Sequence, residues 1–147
     1  MSHLLSAINA AASALNVQRA RMEVAVSNMA NAESTRGPNG EPYRRRDVVL
    51  EATSPDAFGQ AMGAAQGETG GATGVRIAAV VEDQTAFRVH FDPTHADADK
   101  DGNVREPNVD VPEEMVNLLS AARAYQANLT AIGVIRDTVQ KALDLAK

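Results

Sequence analysis

The chain has 147 residues, a formal net charge of −5 and 44% hydrophobic residues, yet only 3% are aromatic and neither Cys nor Trp occurs. The missing thiols exclude disulfide scaffolds, thiolate metal sites and thiol catalysis, and the acidic balance argues against a nucleic-acid footprint. No run approaches the roughly 18 apolar residues of a membrane span, and the first residues carry neither the basic nor the apolar region of an ordinary secretory signal.

Much of the apolar content is Ala, which buries little area per residue, so a large self-sufficient core is not expected. From the N-terminus, Leu5, Ile8, Ala12, Leu15, Arg19, Met22, Val26 and Met29 recur in alternating steps of three and four. That is a heptad seam interrupted once by Arg19. Ser2 is a candidate N-cap, and the helix is expected to fade between Asn31 and Thr35. Gly37-Pro38-Asn39-Gly40 then forces a turn.

The middle reads differently. Tyr43–Ala52 has a basic start and an apolar Val48-Val49-Leu50 run, Val75–Glu82 is rich in Val and Ile, and Phe87–Phe91 alternates as a half-buried strand does. Between the first two, Gly at 59, 63, 67, 70, 71 and 74 predicts a mobile loop. A small β-rich insertion follows from these segments, too small to stand alone.

The C-terminal segment repeats the design of the first. Met115, Leu118, Ala122, Tyr125, Leu129, Ile132, Arg136, Val139, Leu143 and Ala146 keep the same stepping, again with one Arg. Asp110 can cap this helix while Glu113 reaches back, Pro112 lies in the first turn, and Glu113 and Glu114 face the positive dipole end. At 1.5 Å per residue this helix spans roughly 50 Å and the first roughly 40 Å. An insertion that leaves the end of one helix and re-enters at the start of the other makes a packed pair antiparallel. Setting Ala32 opposite Glu113 brings Arg19 near Gln126 and Arg136 near Asn9. The expected fold is α+β: two long terminal amphipathic helices in an antiparallel coiled-coil-like pair, with a small β-rich central insertion. Its parts are residues 1–35, 36–109 (with the Gly-rich loop 59–74) and 110–147.

Few residues suggest chemistry. Asp97, Asp99 and Asp101, followed by Gly102, match the opening of a calcium loop, and His95 could add a ligand. Asn108 stands where the bidentate Glu belongs, so an acidic turn with Gly102 in a left-handed conformation is the competing reading. Arg44-Arg45-Arg46 could contact phosphate, but on an acidic chain it reads as a solvated strand face or a salt-bridging surface. Asn128-Leu129-Thr130 has the glycosylation pattern but falls inside a helix. No spacing suggests a catalytic triad, a phosphate-binding loop or a helical zinc motif. No enzyme and no cofactor are expected.

Two stretches carry a family resemblance. Ser27-Asn28-Met29-Ala30-Asn31-Ala32 resembles the signature of flagellar rod and hook proteins, the axial family of the bacterial flagellum. The run Asp92-Pro93-Thr94-His95-Ala96-Asp97-Ala98-Asp99-Lys100-Asp101-Gly102-Asn103-Val104 is followed by Pro107-Asn108-Val109, Glu113-Glu114-Met115-Val116 and Ala122–Asn128. In order and spacing it is similar to the short proximal rod members of that family, over nearly the whole chain. Ala96 and Asn103 depart from the usual Pro and Tyr, and Glu33-Ser34-Thr35 from the usual end of the first signature.

The resemblance implies a rod subunit, exported by the flagellar type III apparatus without a cleaved signal and stacked helically through the periplasm. Its partners would be other rod proteins and copies of itself, with no nucleic acid and no membrane insertion. Leu5, Ile8, Leu15, Met22, Met115, Leu118, Tyr125, Leu129, Ile132 and Val139 would be the assembly surface. Asn28 and Asn31 would fix the turn out of the first helix through side-chain hydrogen bonds to backbone. The family signature includes Asp92, Pro93, Asp97, Asp99, Asp101, Gly102, Pro107, Asn108, Glu114 and Met115. Helices without an adequate partner in one chain are expected to order fully only on assembly. A small calcium-responsive binding module using residues 97–103 is the alternative function, and a compact cytosolic helical adaptor is a second.

Overall fold

The computed structural model describes residues 2–53 and 74–145, with side chains from residue 6 onward. The elements are α1 (Ser2–Ala30), β1 (Arg46–Thr53), β2 (Gly74–Glu82), β3 (Arg88–Phe91), β4 (Asn103–Glu106) and α2 (Val111–Leu145). The fold is α+β as the periodicities predict, with the two terminal helices packed together and a small antiparallel-strand insertion. β1 pairs with β2, and β3 pairs antiparallel with β4 in the register Arg88↔Glu106 to Phe91↔Asn103. The strand β4 has no counterpart in the sequence reading, which took residues 97–103 as a calcium-loop opening or an acidic turn and read no strand after them. The Gly-rich stretch, apart from Gly74, lies outside the described residues, as does the Leu5 side chain. Among the described residues no helix is long and apolar enough to cross a membrane.

Local chemistry sets the boundaries. α1 stops at Ala30, where the Asn31 amide side chain turns back to donate to the Ser27 carbonyl at 2.8 Å. The chain then reverses at Gly37–Gly40, closed by Gly40 N–H to Gly37 O at 2.9 Å, with Gly40 at φ 77°. The expected capping box at the start of α2 does not form. Its first turn is held by the Asp110 carbonyl, which accepts from the Glu114 N–H at 3.0 Å. Glu113 instead points outward, 63% exposed and 3.8 Å from the Arg45 guanidinium, whose charge competes with the backbone amide.

Two compact units are distinguished. The first comprises Met1–Ala20, Val49–Ala79 and Ala121–Lys147. In it Val17 and Ala121 are buried, and the α1 hydroxyl of Ser13 meets the start of β2. Ser13 Oγ donates to the Ala10 carbonyl at 2.7 Å and accepts from the Val75 N–H at 3.1 Å. A Cβ on Gly74 would sit 2.6 Å from that hydroxyl, so any larger residue would have to displace Ser13 Oγ from its two bonds.

The second unit comprises Arg21–Val48 and Val80–Ser120. It encloses Ala25, Ala32, Val104 and Val109 together with two polar residues, Asn28 and Glu114. Gly102 turns the chain into β4 at φ 79°, and a Cβ there would meet the Phe91 ring at 2.9 Å. Glycine is therefore required twice over, by conformation and by space.

Among the described residues the buried hydrophobic core is three Val and three Ala, with Pro107 beside them and no Leu, Ile, Phe or Met. At about 0.8 kcal/mol per buried CH₂ such a core contributes little. Of the five most enclosed helix positions, Ala25, Asn28, Glu114 and Ala121 each fall one residue before a position of the predicted seam, and Val17 falls two before Arg19. Small and polar residues thus face inward, where helices can approach closely, and the larger seam residues are left beside them.

Candidate functional site at the helix–insertion junction

Asn28, on the last turn of α1, is fully buried and uses every donor and acceptor of its amide. Nδ2 donates to the Arg46 carbonyl at 2.9 Å and to Glu114 Oε2 at 3.0 Å. Oδ1 accepts from the Arg46 N–H at 3.0 Å and from the Tyr43 hydroxyl at 2.9 Å. The paired bonds to both backbone groups of Arg46 copy the pattern of a strand neighbour, so the amide extends the β-ladder of the insertion onto the helix. The α1–α2 bond pairs residue 28 with residue 114, about one helical turn from the register expected from the seams.

Glu114 is 2% exposed, and its second oxygen accepts from Arg45 Nε at 2.7 Å. A lone buried carboxylate would cost several kcal/mol, on the order of the desolvation penalty per ion. Here both oxygens are engaged, one by a charge-assisted bond. Arg45 is the hub: its side chain is 16% exposed and also has Asp47, Asp83 and Glu113 at 3.7 to 3.8 Å. Burial works against the Arg45 charge, but the Glu114 bond and the charges of Glu114, Asp47 and Glu113 outweigh it, holding the guanidinium above its usual range.

Asn108 completes the junction. Its Oδ1 accepts from the Arg45 N–H at 2.9 Å, and its Nδ2 donates to the Asp83 carbonyl at 3.2 Å and to Thr85 Oγ1 at 2.8 Å. Asp83 Oδ1 in turn accepts from the Thr85 N–H at 2.9 Å, which lowers the Asp83 pKa, with Arg45 and Arg44 adding to the shift. The guanidinium of Arg44 lies 4.2 Å over the Phe87 ring. The three consecutive arginines therefore do separate things: Arg44 stacks, Arg45 anchors Glu114, and Arg46 pairs with Glu82 at 3.5 Å.

The network is mechanical in character. Every buried polar side-chain atom among the described residues has a partner. A recess of about 280 Å³ beside Arg45, bordered by Arg21, Arg46, Asp47, Glu113 and Asn117, is charged and lacks a nucleophile–base pair.

The acidic loop is likewise committed internally. Asp97 accepts from Thr35 Oγ1 at 2.9 Å and lies 3.4 Å from Arg36, while one Asp99 oxygen accepts from the N–H groups of Asp101 and Asn103, both at 2.9 Å. Asp92 accepts from both the hydroxyl and the N–H of Thr94, and Pro93 packs beside Gly102. Among the described residues no three carboxylates or imidazoles are grouped to hold a metal ion. The calcium reading of residues 97–103 thus has no support here, and Gly102 takes the left-handed conformation of the competing turn reading. Asn128 lies within α2 and donates to the Ala124 carbonyl at 3.0 Å, away from any loop that a glycosylation acceptor needs.

The structure thus gathers Asn28, Asn108 and Glu114 into one cluster, with Pro107 buried beside it, and places Asn31, Asp92, Asp97 and Asp99 in turns of the same unit. Of the seam residues, Ile8, Leu15, Met22, Leu118, Tyr125, Ile132 and Val139 are half-buried, whereas Met115 and Leu129 are 54% and 47% exposed. Arg45 and Tyr43 were missed as junction residues. The available signal was strand alternation, which turns the middle arginine of three to the opposite face from its neighbours.

Comparison with known proteins extends this picture. A family model described as flagellar basal body rod FlgEFG protein C-terminal matches residues 100–145. The chain is 41% identical over 145 residues to the flagellar basal-body rod protein FlgC of Bacillus subtilis, covering 95% of this chain and 96% of that relative. It is 41% identical to FlgC of Salmonella typhimurium, with 98% of both chains covered. It is also 36% identical to FlgC of Borreliella burgdorferi, with 95% of both covered.

Proposed function

The chain belongs to the flagellar basal-body rod protein FlgC family and is a structural subunit of the flagellar basal-body rod, and from that premise we propose that its terminal helices build the rod by stacking against copies of itself and against other rod proteins. One observation carries the proposal. Large apolar side chains line the outer faces of α2, with Met115, Val116, Leu119, Leu129 and Val134 between 47% and 66% exposed, while the buried hydrophobic core is only Val and Ala. A helix of 35 residues with that much apolar surface in water needs partners.

On this reading Leu5, Ile8, Leu15, Met22, Met115, Leu118, Tyr125, Leu129, Ile132 and Val139 meet neighbouring subunits. The junction network ties the end of α1 and the start of α2 to the strand entry at Arg45–Arg46, within one unit. The subunit works in the periplasmic part of the basal body, reaches it through the flagellar type III export apparatus, and performs no catalysis.

Replacing Leu129 by Asp tests the reading directly. The variant should be lost from purified basal bodies and its cells should be non-motile, while Gln140→Asp, at an exposed polar position, should incorporate normally. Wild-type incorporation of the Leu129 variant would remove the helix-stacking proposal. The calcium alternative finds no support, since two of its three carboxylates, Asp97 and Asp99, are engaged by Thr35, Arg36 and backbone amides; calorimetric titration with calcium should give no binding heat.

A further inference from the structure

The hairpin β3–β4 presents a face that its own unit does not cover. Alternation along β3 puts Val89 and Phe91 on one side, and the pairing sets Arg105 directly across from Val89 and Asn103 across from Phe91. Val104, on the other side, is 2% exposed, so that side is the packed one. Val89 and Phe91 are 63% and 67% exposed, in a chain with only three Phe. Arg105 has no ion-pair partner among the described residues. Its acidic neighbours across the adjoining recess are occupied: Asp97 by Thr35 and Arg36, and Asp99 by two backbone amides.

The first two turns of α2 carry the complementary chemistry. Val111, Met115, Val116 and Leu119 are 39% to 66% exposed and, spaced by three and four, lie on one side of the helix. Asp110 precedes them, and its carboxylate is exposed and likewise without a partner among the described residues.

We propose that the Val89–Phe91–Arg105 face of one copy receives the Asp110–Leu119 turns of α2 from a second copy, with Arg105 paired to Asp110. Charge complementarity selects the occupant: an apolar face with one free cation meets an apolar face with one free anion, and both are on the same chain. Two different faces that fit each other make a head-to-tail contact, which repeats from copy to copy instead of closing a two-fold dimer. The contact is small and gains its strength from repetition along the assembly. The proposal rests on the self-stacking reading above and names the surface that stacking uses in the insertion.

The chain has no cysteine, so thiol cross-linking reports cleanly. A chain carrying both Asn103→Cys and Val111→Cys is expressed in cells, basal bodies are purified, and a short bifunctional maleimide is added. The doubly substituted chain should give a ladder of dimers and higher multiples, and each single variant should stay monomeric. Arg105→Asp or Asp110→Arg added to the double variant should each remove the ladder, and the two together should restore it. Monomers alone from the doubly substituted chain in basal bodies would overturn the proposal, the hairpin then facing another rod protein. Dimers from a single variant would also overturn it, as a two-fold contact. Failure of the unsubstituted chain to appear in basal bodies at all would instead strike the rod reading itself.

Discussion

Asn28 and Glu114 lie 86 residues apart in the sequence and share a buried hydrogen bond of 3.0 Å from Nδ2 to Oε2. The bond ties the end of one terminal helix to the start of the other, and both partners use their remaining capacity on the insertion. Closing the fold therefore requires both helices and the strand entry at Arg45–Arg46 at the same time.

The first prediction follows from the saturated amide. Asn28→Asp keeps the shape but removes both donors and sets a second carboxylate against Glu114. Leaving a buried charge without its partner costs roughly 3–5 kcal/mol. Asn28→Ala leaves four groups without their partner, at about 1–3 kcal/mol for each that water cannot reach. Urea unfolding should show both variants strongly destabilised, and a midpoint within error of wild type for Asn28→Asp would contradict the network.

The Arg45–Glu114 pair should be energetically coupled. A double-mutant cycle with Arg45→Met and Glu114→Gln should return a coupling of about 1.5–3 kcal/mol, the range for hydrogen bonds to charged groups. The same cycle between Arg88 and Glu106, whose side chains are 57% and 30% exposed, should stay below about 1 kcal/mol. Equal couplings for the two pairs would mean that burial adds nothing at Arg45.

Gly102→Ala forces a side chain into a left-handed backbone and against the Phe91 ring. The expected cost is on the order of 1–3 kcal/mol. Adding Phe91→Ala should recover the steric part and leave the conformational part, so the pair should be less than additive. Full additivity would show that the ring contact does not matter.

The turn carboxylates Asp83 and Asp92 should keep their charge to lower pH than an ordinary Asp. The Asp83 pKa is lowered chiefly by the Thr85 N–H, and that of Asp92 chiefly by the Thr94 hydroxyl, both below the ordinary 3.8. A depressed carboxylate pKa contributes stability that is present above the unfolded value and lost as pH falls through the folded one. Carboxyl-carbon NMR titration should give midpoints below 3.8 for both, and Thr85→Ala should raise that of Asp83. A midpoint at or above that value in the wild-type chain would refute the turn assignment.

The helices and three of the four strands were legible: the helices from three-four steps from Ile8 to Met29 and from Met115 to Leu143, β3 from alternation from Phe87 to Phe91, and β1 and β2 from their Val, Leu and Ile content. What periodicity could not give was phase. Ala25 and Ala121 carry too little hydrophobicity to mark an inward face, and Asn28 and Glu114 mark the wrong one, since polar side chains read as exposed. Their burial depends on partners far away in the chain, Arg45 above all. β4 escaped for a related reason: four residues with one Val show no period, and the strand is defined by its ladder with β3 and by the burial of Val104.

One hydroxyl has a consequence in time. Ser13 Oγ donates to the carbonyl of its own turn and by that act aims a lone pair at the Val75 N–H. The acceptor exists in that orientation only once the turn from Ala10 has wound. On this geometry we expect β2 to dock onto a finished piece of α1. We expect hydrogen exchange during refolding to protect the amides around Ser13 before that of Val75. Protection of Val75 first would reverse the order.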